Sequence, residues 1–258
     1  MFGRSRSSQP WPSAPEGQRA YVVGDVHGRL DLLDGLLERI HRELDDRPPD
    51  KAMLVFLGDL VDRGPSSAQV VERLRTFRRP GLRTVFLLGN HEEVVLRVLS
   101  GETSLIRSWL RFGGEQTLRS YGLDPRRIAL ADDSALAALR RAIPDEHVAF
   151  LRGFADTCRF GDYLFVHAGI RPGIELDRQT QSDLRWIREP FLRDESNHGF
   201  IVVHGHTICR EVEERPNRIG IDTGAYATGI LTALAIEGAD RWFIDTSQPT
   251  DIAVSLTH

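Results

Sequence analysis

The sequence predicts a mixed α/β fold, with central mixed sheets flanked by helices, and two patterns carry that prediction. A short apolar run, a glycine-ended turn and a helical repeat recur three times before residue 100. After residue 152 the chain is richer in strand-like runs than before it. Strands and helices that alternate at this spacing call for a parallel or mixed sheet covered by helices.

The first three strands are Ala20-Tyr21-Val22-Val23, Met53 to Leu57 and Thr84 to Leu88, stopped by Gly24, Gly58 and Gly89. Between them, Leu30 to Leu44 sets Leu33, Leu36, Leu37 and Ile40 on one helical face, and Ser66 to Phe77 does the same with Val70, Val71 and Leu74. Glu92 to Leu99 reads as the third helix. From about 101 to 152 the chain turns helical throughout, with Trp109, Phe112, Gly113-Gly114, Tyr121-Gly122 and the Ala/Leu/Arg-rich stretch Ser134 to Ile143. This segment is expected to be an insertion capping the core. Tyr163 to Val166, Gly199 to Val203, Arg218 to Ile221, Ile230 to Ile236 and Arg241 to Ile244 then read as strands. The expectation is one domain over 20–258 with its helical cap, preceded by a loose arm over 1–19.

The 258 residues are 41% hydrophobic and 27% charged, which fits a soluble globular chain. Thirty-three basic side chains against 37 acidic ones leave a net charge of −4. No global excess points to nucleic acid as the partner. No apolar run approaches the roughly 20 residues that span a bilayer, so no membrane association is expected. Cys158 and Cys209 do not suggest a disulfide framework. A cytoplasmic location is expected.

Polar motifs sit where the strands end: Gly24-Asp25-Val26-His27-Gly28, Gly58-Asp59-Leu60-Val61-Asp62-Arg63-Gly64, Gly89-Asn90-His91-Glu92, His167-Ala168-Gly169 and His204-Gly205-His206-Thr207. In open α/β sheets ligands gather beyond the carboxyl ends of strands. Carboxylate and imidazole donors together suit Mn, Fe or Zn better than Ca or Mg. Two such cations about 3.5–4 Å apart can share a carboxylate and activate a water against phosphorus. A lone Gly-Asp turn is usually only a turn, and a lone buried His is usually structural. Five motifs, in this order and mostly at strand ends, favour a metal site.

In this order the motifs resemble the phosphoprotein phosphatase branch of the calcineurin-like metallophosphoesterases, over about residues 20–236. The Trp109 to Gly122 stretch and Ile221-Asp222-Thr223-Gly224 are similar to its bacterial serine/threonine phosphatases. The resemblance implies a β-sandwich of mixed sheets and two divalent metal ions, Mn foremost, with Fe or Zn as alternatives. Asp25 and His27 would hold the first ion, Asp59 would bridge, and Asn90, His167 and His206 would complete the second. His91 matches the general acid, oriented by a carboxylate matching Asp62, and Arg63 matches the phosphate clamp. A second clamp is expected at Arg185, with Arg188 as its rival, and Tyr226 is a candidate to line the site. His204 reads as structural.

The activity that the resemblance implies is phosphoester hydrolysis by direct attack of a metal-bridging hydroxide, with phosphoserine or phosphothreonine on a protein or peptide as substrate. The alternative is a dinucleoside polyphosphate hydrolase of the symmetrical diadenosine tetraphosphatase kind, whose members tend to carry alanine where this chain has Asp62. A polyphosphate leaving group needs a tuned acid less than a serine alkoxide does. Asp62 therefore tilts the expectation towards phosphomonoesters. A non-catalytic module that kept the fold would have no need of His91 paired with Asp62.

Overall fold

The computed structural model describes residues 12–247, in which ten strands form two five-stranded mixed sheets. In chain order the elements are β1 (Gln18–Val23), α1 (Leu30–Asp46), β2 (Lys51–Phe56), α2 (Ser67–Arg75), β3 (Leu82–Phe86) and α3 (Asn90–Ser100). The insertion supplies α4 (Ile106–Trp109), α5 (Glu115–Ser120), α6 (Pro125–Ile128), α7 (Asp133–Ala142) and α8 (Asp145–Arg152). Then come β4 (Thr157–Phe160), β5 (Tyr163–Val166), α9 (Gln181–Trp186), β6 (Ile201–His204), β7 (Glu213–Glu214), β8 (Arg218–Gly220), α10 (Ala225–Thr228), β9 (Thr232–Glu237) and β10 (Asp240–Asp245).

One sheet runs β10-β9-β1-β2-β3 and the other β4-β5-β6-β8-β7. β1, β2 and β3 are mutually parallel, as are β5, β6 and β8, while the outer pairings are antiparallel. The pleat explains the continuous apolar runs. On β1, Ala20 and Val22 point between the sheets with Val55 of β2 and Phe165 of β5. Tyr21 and Val23 point outward against Leu33, Leu36 and Ile40 of α1. Successive side chains leave opposite faces of a strand, so a strand buried on both sides must be apolar throughout. The second sheet is covered likewise, its Leu164, Val166 and Val202 packing on Leu184, Ile187 and Phe191.

Two expectations need correction. The chain is built into the fold before Ala20: Ser13 N–H donates to Asp162, Ala14 N–H to the Gly238 carbonyl, and Arg19 pairs with Glu237. The arm expected over 1–19 is thus anchored from 13 onward, and residues 1–11 lie outside the described residues. Strands β4 and β7 are additions to the expected set, because they are short and half exposed, without an apolar run to mark them. The insertion forms its own apolar cluster, in which Ile106, Trp109, Leu118 and Leu139 pack against Val95, Val98 and Leu99 of α3. Among the described residues no helix is long and apolar enough to cross a membrane.

Candidate active site

The loops that follow β1, β2, β3, β5 and β6 converge because all five strands present their carboxyl ends to one region. Backbone bonds lace the first two loops together: Val26 and His27 N–H donate to the Asp59 carbonyl, and Gly28 N–H to that of Leu60. Glu92, fully buried in the first turn of α3, ties in the third loop. Its carboxylate accepts N–H groups from Asp59 (2.8 Å), Leu60 (2.7 Å), Val61 (3.2 Å) and Gly89 (3.2 Å). The expectation gave Glu92 no role, although its place at the third position after Gly89 is a capping signal.

Six non-glycine residues among those described have positive φ, and five of them are His27, Asp59, Asp62, Arg63 and His206. Left-handed backbone is unfavourable for side-chained residues and persists only where the surroundings impose it. Here it is concentrated in the motifs themselves. Glycine is required where loops touch: a Cβ on Gly205 would run into Asp25 Oδ1, and one on Gly89 into Asp59 Oδ1.

Two groups of donor atoms result, each with all its atoms within 4.8 Å of one another: His27, Asp59 and His91, and Asp59, His167 and His206. Asp59 belongs to both. His27 Nδ1–H donates to the Val61 carbonyl (2.8 Å) and His167 Nδ1–H to that of Leu57 (2.9 Å). Each bond leaves an Nε2 lone pair facing Asp59 Oδ2, at 3.6 and 3.5 Å. Asn90 Oδ1 lies 3.0 Å from His167 Nε2 and 2.8 Å from His206 Nδ1. Asp25 accepts the His206 N–H through Oδ2, while its buried Oδ1 and His206 Nε2 have no partner among the described residues.

The electrostatics of this cluster suit cations. Burial pushes the His27 and His206 imidazoles down to about 3, so both are neutral bases at pH 7. Burial, then the charges of Asp222 and Asp59, push Asp25 well above the usual carboxylate range, and burial raises Asp222 to about 6. Crowded buried carboxylates beside neutral imidazoles, with orphaned donor atoms between them, form a set that divalent metal ions would complete. The residues fit the metal pair that the resemblance implies.

Beside this cluster stands a second arrangement. His91 Nδ1–H donates to Asp62 Oδ2 at 2.6 Å, and His91 N–H donates to Asp59 Oδ1. Burial works against a charged His91, yet Asp59 and the bond to Asp62 outweigh it and hold the imidazole above its ordinary value. Arg63 NH2 lies 3.2 Å from His91 Nε2, and its guanidinium sits over the Tyr226 ring at 4.7 Å. Tyr226 also meets His27 edge-on, with ring centroids 5.4 Å apart.

Arg185 departs from expectation. Its guanidinium donates to Asp156 at 2.6 and 2.9 Å and to Glu93 at 3.2 Å, so two carboxylates already hold it. The exposed Arg188 reaches the His206 carbonyl at 3.5 Å, and no carboxylate is paired with it among the described residues. His204 is buried edge-on against Phe191, with burial lowering it to about 4. Cys158 and Cys209 are free thiols. The insertion supplies residues to which sequence alone assigns no role. Trp109 Nε1–H and the Thr117 hydroxyl both donate to the Asp62 carboxylate.

Known proteins share this arrangement of chain. A family model of calcineurin-like phosphoesterases matches residues 19–228. A serine/threonine-protein phosphatase 1 of Salmonella typhimurium is 30% identical over 232 residues, spanning 87% of this chain and 94% of that protein. An asymmetrical bis(5'-nucleosyl)-tetraphosphatase PrpE of Halalkalibacterium halodurans is 26% identical over 239 residues, spanning 88% and 94%. In fold, a cold-active protein tyrosine phosphatase superposes with a TM-score of 0.57 at 18% identity, over 93% of this chain and 87% of that one. The chain is a member of the calcineurin-like phosphoesterase family.

Proposed function

We propose that the chain is a phosphoprotein phosphatase that hydrolyses phosphoserine and phosphothreonine monoesters. The observation that carries this reading is the 2.6 Å bond from His91 to a fully buried Asp62, beside Arg63. A serine or threonine alkoxide is a poor leaving group and must be protonated as it departs. An imidazole held by a carboxylate supplies that proton from Nε2, the nitrogen that faces the cluster. The Arg63 guanidinium, adjacent to that nitrogen and lying over Tyr226, grips phosphoryl oxygens, and Arg188, beside His206, is the second clamp.

Asp25, His27 and Asp59 would hold one divalent cation, and Asp59, Asn90, His167 and His206 a second. Manganese is the proposed metal, with iron and zinc as the other members of the same donor class. Such a pair lowers the pKa of an attacking water and neutralises phosphoryl charge. Asp59, which belongs to both donor groups, would be shared by the two ions, and Glu92 holds the Asp59 loop in place.

Relatives named for tetraphosphatase activity make dinucleotide hydrolysis the competing reading. Initial rates on a phosphoserine peptide and on diadenosine tetraphosphate, measured side by side on manganese-loaded enzyme, decide between them. We expect the larger kcat/KM on the phosphopeptide, and a preference for the dinucleotide overturns the proposal. The two arginines separate in the same assay. Arg188→Ala is expected to raise KM for the phosphopeptide by about 10–100-fold, the value of one charge-assisted contact. Arg185→Ala leaves KM unchanged but removes the ion pairs to Glu93 and Asp156, and shows as a lowered Tm in calorimetry.

A further inference from the structure

Asp62 and Arg63 occupy consecutive left-handed positions, with φ of 70° and 68°. Neither is glycine, so the turn needs external support. That support comes from one stretch of the insertion, residues 109–117, together with Ser67 of α2. The Trp109 indole N–H lies 3.0 Å from both Asp62 oxygens. The Thr117 hydroxyl donates to Oδ1 at 2.6 Å and accepts the Asp62 N–H at 2.9 Å. Between them, the Gly113 carbonyl accepts the Arg63 N–H at 3.0 Å. Ser67 Oγ closes the network, 2.9 Å from Thr117 Oγ1 and accepting the Asp62 N–H at 3.0 Å.

Trp109 is 2% exposed within an apolar cluster, where packing alone asks only for a large hydrophobic side chain. Its single polar atom is nonetheless spent on a carboxylate 47 positions away, in another segment. A buried carboxylate must have its lone pairs satisfied to remain charged, and the donors that satisfy it also fix its orientation. With Oδ1 engaged by Thr117 and both oxygens bridged by the indole, Oδ2 is left aimed at His91 Nδ1. We infer that Trp109 and Thr117 are positioning residues for proton donation to the leaving group, acting through Asp62 on His91. The insertion is then part of the catalytic machinery rather than only a cap over it. This rests on the reading of His91 as the proton donor.

The test compares a phosphoserine peptide, whose alkoxide needs a proton, with p-nitrophenyl phosphate, whose phenolate leaves without one. In the manganese-loaded enzyme, Thr117→Val and Trp109→Phe are expected to lower kcat on the phosphopeptide by about 10–100-fold, as loss of an outer partner does. On p-nitrophenyl phosphate the loss is less than about threefold, because the acid contributes little there. KM and the metal content stay unchanged, and Thr117→Ser, which keeps the hydroxyl, restores the phosphopeptide rate. Introduced into a His91→Asn background, Thr117→Val costs nothing further. Equal losses on both substrates, or an additive loss in the double variant, overturn the inference and leave Trp109 and Thr117 as residues of the fold. A His91→Asn enzyme that loses both substrates alike overturns the proton-donor reading itself, and the inference with it.

Discussion

Stripping divalent cations with a chelator is expected to abolish turnover, and adding manganese back to restore it while raising the Tm by about 10 °C or more. The size of the effect comes from the cluster. Asp25, Asp59 and Asp222 are each at most 2% exposed, and no lysine or arginine forms a salt bridge with any of them among the described residues. Two ions at about 100 times their Kd each add about 2.7 kcal/mol of linkage free energy. In a domain of this size, 1 kcal/mol moves the Tm by about 2–4 °C. Asp59→Asn should remove most of both gains, since Asp59 is common to the two donor groups, and metal analysis should then find fewer than two ions per chain.

The same cluster sets the pH dependence of that stabilisation. Asp222, raised to about 6 by burial, takes up a proton as pH falls towards 6, and Asp25, raised well above the usual carboxylate range by burial, Asp222 and Asp59, is protonated at a higher pH than an ordinary carboxylate. An ion that needs Asp25 bare must displace its proton, and the charge lost at Asp222 weakens the pull of the cluster on cations, so binding weakens at lower pH. The manganese-dependent rise in Tm is therefore expected to shrink between pH 7.5 and 5.5. A rise that is equal at both values places the ions elsewhere.

Much of this site is legible in the sequence because a polar residue that directly succeeds an apolar run marks the end of a strand. Asp25, Asp59, Asn90, His167 and His206 all sit at or just beyond such an end, and topology then brings them together. Arg185 misleads for a physical reason. Its partners Asp156 and Glu93 are 29 and 92 positions away, and nothing local announces that its charge is already matched. Trp109 and Thr117 are hidden in the same way, being 47 and 55 positions from the carboxylate they serve. Nor does a non-glycine residue advertise a left-handed backbone. His27, Asp59, Asp62 and Arg63 take it where the Glu92 bonds, the lacing of the first two loops and the insertion hold the backbone, and His206 where its N–H is bound by Asp25. Short-range pattern locates strand ends. Long-range pairing, which decides what each charge there is for, becomes visible only once the chain is folded.

Replacing His91 with Asn should separate proton donation from everything else the site does. On a phosphoserine peptide kcat is expected to fall by about 10²–10⁴-fold, the usual contribution of a positioned general acid. On p-nitrophenyl phosphate the fall should be far smaller, since nitrophenolate departs unprotonated. The contrast matters because His91 also belongs to one of the two donor groups, its Nε2 lying 3.9 Å from Asp59 Oδ2. A His91 that held metal would cost both substrates alike, and the variant would retain fewer than two ions. Asp62→Asn adds a check through pH. Burial disfavours the imidazolium, while Asp59 and Asp62 together hold it above its ordinary value, so the protonated form persists to a higher pH than in a free imidazole. Removing the Asp62 charge lowers that pKa, and the alkaline decline of kcat on the phosphopeptide should begin at a lower pH than in the unaltered enzyme. An alkaline limb that stays in place on Asp62→Asn assigns it to a group other than His91.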